Sequence, residues 1–296
     1  MKKPAYIGLF FLLFIQACGQ ETNQKQSVNQ NRLTEYPHEI SKNYIGVINP
    51  EGQTLETRIL TPEGFERTTI DENSFAEYLR QLPLKPHGSE VTLYNGSSKP
   101  NYEVYDAVVN LNIGRKDLHQ CADAVMRLKA EYLWYQKQYD KIHFDFTNGF
   151  QVDYSEWMKG KRIVVKGNKA YWTLSNSPSN TYQDFWRYME IVFSYAGTLS
   201  LSKELKPVNI ENLKIGDVFI QGGSPGHAII VVDLALNLLT NKKIFLLAQS
   251  YMPAQEIQIL KNPDNKTSPW YSVDFGEILE TPEWTFYKTD LKRFEE

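Results

Sequence analysis

Gly216 to Ser250 reads GDVFIQGGSPGHAIIVVDLALNLLTNKKIFLLAQS. Two apolar runs, HAIIVVD and KIFLLAQS, flank a polar turn, and a third, GDVFI, precedes them across the Gly-rich GGSPG. Short apolar runs bounded by Gly, Pro and Asn predict strands, and the short connection predicts an antiparallel hairpin. Folded about Leu238, that hairpin sets Gln249 opposite His227, with Ser250 one residue off. His227, Ile229, Val231 and Asp233 are expected on one face of their strand. An antiparallel sheet is therefore the expected centre of the fold.

Upstream, Asp117 to Trp134 reads DLHQCADAVMRLKAEYLW. Cys121, Ala124, Val125, Leu128 and Tyr132 fall on one helical stripe, and Asp117 with Gln120 three residues later predicts the helix start. Cys121 then lies in the first turn or just beyond it. Unpaired N–H groups and the positive end of the helix dipole there favour a thiolate. The competing reading is a small apolar residue buried in a core. His119 is expected on the solvated side of the first turn.

Working outward, a helix opened by Asp71 or Asn73 and ended by Pro83 is expected. RIVVKGNKAYWTL predicts a hairpin around Gly167-Asn168. TYQDFWRYMEIVFSYAG predicts a second helix with Phe185, Tyr188, Met189 and Val192 on its buried stripe and Gly197 as its stop. The Trp- and Pro-containing tail reads as irregular chain wrapped over the domain. Without an internal repeat or a second tether, the reading is one α+β domain over residues 36–296.

The N-terminus differs in kind. Lys2 and Lys3 precede a short apolar run, Ile7 to Ile15, which suits an export signal over residues 1–17. IQAC then resembles a bacterial lipobox, which implies a lipid on Cys18, anchorage to a membrane and a place in the bacterial cell envelope. Residues 18–35, rich in Gln and Asn, read as a flexible tether. Cys121 would then be the only free thiol left. A net charge of −3 gives no electrostatic reason to expect nucleic acid as a partner.

Three residues carry the chemistry these patterns suggest. Cys121 is the candidate nucleophile, His227 the general base, and Gln249 the group that holds the second imidazole nitrogen. Gly223, Ser224, Gly226 and Ser250 are the candidate substrate-binding residues. GGSPG lacks the Lys and Ser/Thr of a phosphate loop. Asp123 and Asp233 read as surface or capping carboxylates. The five histidines, His38, His87, His119, His143 and His227, have no metal-ligand spacing, and no metal or cofactor is implied.

The order of Cys121, GDVFI, GHAIIVVD and Gln249 resembles the papain-like fold of NlpC-type and CHAP-type cell-wall amidases and endopeptidases. That resemblance implies an N-terminal helix packed on an antiparallel sheet, with insertions. It also implies cysteine hydrolysis of an amide in peptidoglycan or another peptide. Two departures stand out. The Cys121–His227 separation is longer than usual in those families, and Gln120 replaces the usual Asp or Asn before the cysteine. Over nearly its whole mature length the chain resembles a bacterial lipoprotein family called domain of unknown function 4846. LPLKPHGSEVTLYNG, DLHQCADAVMRLKAEYLW, HFDFTNGF, GDVFIQGGSPGHAIIVVD and LAQSYMPAQEIQIL carry that likeness. The alternative to a hydrolase is a non-catalytic envelope lipoprotein that binds a glycan, peptide or protein partner through an aromatic-rich cleft.

Overall fold

The structure, a computed structural model, describes residues 46–295. The expected signal segment, Cys18, the tether and the first residues of the expected domain lie outside that range. No helix among the described residues is long and apolar enough to cross a membrane.

The chain builds a mixed α/β fold around one large antiparallel sheet. Its main strands are β1 (Tyr105–Val108), β2 (Val218–Gln221), β3 (His227–Leu236), β4 (Lys243–Gln249), β5 (Gln258–Leu260) and β6 (Leu291–Arg293). In space they run β1-β5-β4-β3-β2-β6, with Lys206–Pro207 beyond β6. β3 is buried through all but its last residue, which is why its sequence is a continuous apolar run rather than an alternation.

The β3–β4 hairpin forms as expected, but its register carries a bulge. Lys243 to Leu246 pair with Leu236 to Asp233, whereas Leu247 and Ala248 pair with Val231 and Ile230, leaving Val232 extra. One inserted residue moves all that follow it to the opposite face. Asp233 therefore does not share a face with His227, Ile229 and Val231, as the simple alternation predicts. Nor is it a surface carboxylate. It is fully buried and accepts hydrogen bonds from Arg67 Nε at 2.7 Å and Arg80 Nε at 2.8 Å.

Three helices position the site: α1 (Cys121–Tyr135), α2 (Tyr182–Tyr195) and α3 (Thr198–Glu204). Ala122, Val125 and Leu128 of α1 share an apolar cluster with Ala228, Ile230 and Val232 of β3. Phe185, Tyr188, Met189 and Val192 of α2 are fully buried in that cluster, as their spacing predicts. Each such side chain contributes about 1.5–3 kcal/mol. The other face of the sheet buries Phe219, Ile229, Val231 and Leu247 against Leu279 and Phe286 of the C-terminal segment. The hairpin Lys161–Lys166 with Lys169–Leu174 forms around Gly167-Asn168. The helix Phe75–Arg80 is capped by Ser74, later than expected, because its hydroxyl accepts from Glu77 N–H at 3.1 Å.

Candidate functional site

α1 begins later than Asp117. Its first helical residue is Cys121 itself, and Gln120 is the N-cap. Asp117 instead ties the helix approach to a distant loop: its Oδ1 accepts from Ala254 N–H at 2.7 Å and from Gln120 Nε2 at 3.2 Å. Asp123, at the third helical position, accepts from Gln120 N–H at 3.0 Å through Oδ2. Its Oδ1 is buried with no hydrogen-bond partner among the described residues.

Cys121 lines a cleft of about 440 Å³ between the start of α1, the α2–α3 junction and the Gly-rich loop. Gly223, Ser224, Pro225 and Gly226 form one wall, and Gly197 and Thr198 another. The β3–β4 ladder runs only as far as the Ile230–Ala248 rung. Beyond it the backbone N–H groups of Ala122, Ala228 and Cys121 come near enough to the Cys121 sulfur to favour its thiolate.

His227 opens β3 and is buried. Its Nε2 lies 2.8 Å from Gln249 Oε1. Continued beyond the last rung, the register after the bulge sets Gln249 level with Ile229, two residues from His227 on the same face, and the long amide side chain spans the offset. The ring packs against Tyr251 at 4.8 Å, Trp284 at 5.4 Å and Phe286 at 5.9 Å between centroids. Gln249 Nε2 in turn donates to Glu283 Oε2 at 2.7 Å, and Lys99 Nζ lies 2.5 Å from that oxygen.

These surroundings set the charges. Burial, with Asp123 nearby, pushes the Cys121 thiol up to about 11, against the pull of the three N–H groups. The helix start therefore does not yield the lowered thiol pKa that its position predicts, because desolvation outweighs the dipole. Burial lowers His227 to about 4; Gln249 opposes that and Lys99 adds to it. Near pH 7 the Cys121 thiol and the His227 imidazole are therefore both neutral. Burial raises Asp123 to about 8.

Residues 55–293 match the family described as domain of unknown function (4846). The chain belongs to that family. No curated protein and no solved structure matches it.

The family domain contains every expected site residue except Cys18. Cys121, Gly223, Ser224 and Gly226 meet at the cleft; His227 and Gln249 meet each other and are not among its lining residues. Ser250 does not join them. It is fully buried, with its hydroxyl 2.9 Å from His119 O and 2.8 Å from Gln255 O. The loop glycines have packing reasons of their own: a Cβ on Gly226 would meet Thr198 Oγ1 and Gly223 O at 2.6 Å. His119 is buried rather than solvated, with Nδ1 3.1 Å from Gln255 O. Phe193 is the single aromatic lining the cleft among the described residues, so aromatic richness went elsewhere.

Lys99, Tyr251, Glu283 and Trp284 were not foreseen. Each comes from a segment far in sequence from its partners or follows a recognised strand. The only local signal is the carboxylate–indole pair Glu283-Trp284 in a tail that otherwise reads as wrapping. Among the described residues no cluster of three or more His, Cys, Asp or Glu side chains is arranged to hold a metal ion.

Proposed function

We propose that the protein is a lipid-anchored bacterial envelope lipoprotein with a papain-like cysteine hydrolase site that cleaves an amide bond in cell-wall peptide or another peptide. One observation carries this reading. Cys121 opens a helix on a cleft wall, the Ala228 N–H favours its thiolate, and His227, the residue before Ala228, is held through Nε2 by Gln249. No hydrogen bond from the described residues occupies Nδ1.

In this reading the Cys121 proton passes to His227 Nδ1 as the sulfur attacks the amide carbonyl. The N–H groups around the sulfur steady the oxyanion. The C–N bond then breaks, the amine leaves with the proton from the imidazolium, and an acyl thioester remains. Water, deprotonated by the same imidazole, attacks that thioester and restores the thiol. Because the free site holds a neutral pair, proton transfer accompanies attack instead of preceding it.

The test is release of new amines from purified peptidoglycan and from a mixed peptide pool. Wild type releases them, and Cys121→Ala, folded by circular dichroism, does not. No release by wild type, or undiminished release by Cys121→Ala, overturns the reading. The burial and raised pKa of the thiol favour a second reading, a non-catalytic lipoprotein binding a glycan, peptide or protein partner. There Cys121→Ser lowers stability and nothing else.

A further inference from the structure

We propose that Glu283, held by Lys99, is a positioning residue that fixes the Gln249 amide and, through it, the imidazole tautomer of His227. The argument follows the hydrogen bonds outward from the ion pair. Lys99 Nζ has only donors to offer, and it lies 2.5 Å from Glu283 Oε2 and 3.1 Å from Gln255 Oε1. It is buried, and Glu283 has little more exposure. An ammonium and a carboxylate this withdrawn from water stay only as a paired, hydrogen-bonded unit.

An ionised carboxylate accepts and cannot donate. The end of the Gln249 amide that meets Glu283 Oε2 at 2.7 Å is therefore the NH₂ group. That leaves the carbonyl end, Oε1, 2.8 Å from His227 Nε2. A carbonyl oxygen can only accept, so Nε2 must carry the hydrogen. In a neutral imidazole the other nitrogen, Nδ1, is then the bare lone pair. With the amide reversed, a carbonyl oxygen would face a carboxylate oxygen at hydrogen-bond distance with no proton between them. Trp284 covers the same junction: its ring packs on His227 and its Nε1 donates to Gln221 Oε1 at 3.0 Å. One turn near the C-terminus thus supplies both the anchor and the cover.

The catalytic meaning of a bare Nδ1 rests on the hydrolase reading; the tautomer itself does not. The experiment is ¹⁵N NMR of the imidazoles in the full chain, with His227 assigned by loss of its signals in His227→Gln. His119, whose Nδ1 faces a carbonyl oxygen, gives an internal reference for the opposite tautomer. In wild type at pH 7, His227 is expected as the Nε2–H form. Glu283→Gln, which can both donate and accept, lets the Gln249 amide reverse, and the two His227 nitrogen shifts are expected to move toward each other. Glu283→Asp, which keeps the charge, restores the separation at least in part. A wild-type His227 in the Nδ1–H form overturns the proposal whether or not any variant folds. So does a folded Glu283→Gln with unchanged His227 shifts. Neither readout requires turnover.

Discussion

His119 and His227 are both 1% exposed, and burial lowers both, to about 3 and about 4. What separates them is how their ring nitrogens are used. His119 directs Nδ1 at Gln255 O, and its Nε2 faces Arg127 NH1 at 3.5 Å. Arg127 belongs to a closed polar cluster: its Nε donates to Glu131 Oε1 at 3.0 Å, while Tyr182 and Tyr78 also donate to Glu131. His227 has one nitrogen held by Gln249, and the N–H of the next residue, Ala228, favours the thiolate of Cys121 at the cleft. A depressed histidine pKa therefore marks burial, not chemistry. The nitrogen left over is what distinguishes a candidate base from a strut.

The sharpest way to break that contrast is in activity. Under the proposed hydrolase reading, His227→Ala is expected to lower amide hydrolysis by a factor on the order of 10²–10⁴, the usual contribution of a general base. His119→Ala should lower it only as far as the folded fraction falls. Rates normalised to folded protein for the two variants decide it, and equal losses would erase the distinction.

In stability the ranking reverses. Glu131→Ala strips the partner from buried Arg127 and leaves two tyrosine hydroxyls without their acceptor, at a cost of about 3–5 kcal/mol. Urea unfolding measures this directly. A loss under about 1 kcal/mol would mean that the cluster beneath His119 is not the closed unit described.

A third contrast lies in pH dependence, and its sign differs between His119 and Asp123. His119 has a folded pKa near 3 against an ordinary 6.5, so below pH 6.5 the unfolded chain takes a proton that the native ring refuses. Stability then falls on acidification from about 6.5 to about 3, by up to about 1.4 kcal/mol per pH unit. His119→Gln should flatten that limb. Asp123, raised to about 8 from 3.8, works the other way: the native side chain keeps its proton while the unfolded one ionises, so stability falls as pH rises between those values. Asp123→Asn should gain stability relative to wild type between pH 5 and pH 8. Urea midpoints at the two pH values read both slopes, and a shift of the wrong sign refutes the corresponding assignment.

Much of this was legible locally. The strands HAIIVVD and KIFLLAQS, the hairpin at Gly167-Asn168 and the buried stripe of α2 follow from period and turn chemistry. So does the pairing of His227 with Gln249, because the observed register differs from the expected one by two residues, and an even offset keeps both side chains on one face. The errors share one cause. Asp233 changed face because a bulge at Val232 inserts one residue, and nothing in an unbroken apolar run marks where a bulge falls. The local pattern predicts a helix start at Asp117, but Ala254, 137 residues away, claims that carboxylate.

By itself the sequence determined the antiparallel sheet, the helix that bears Cys121 and the neighbourhood of His227 and Gln249, because each depends on contacts between residues close along the chain. Only the tertiary structure decided the rest. It buried the thiol deeply enough to raise its pKa, spent both nitrogens of His119, and brought Lys99 and Glu283 together behind Gln249. Those outcomes depend on desolvation and on partners supplied from distant segments, and neither is written into a local pattern.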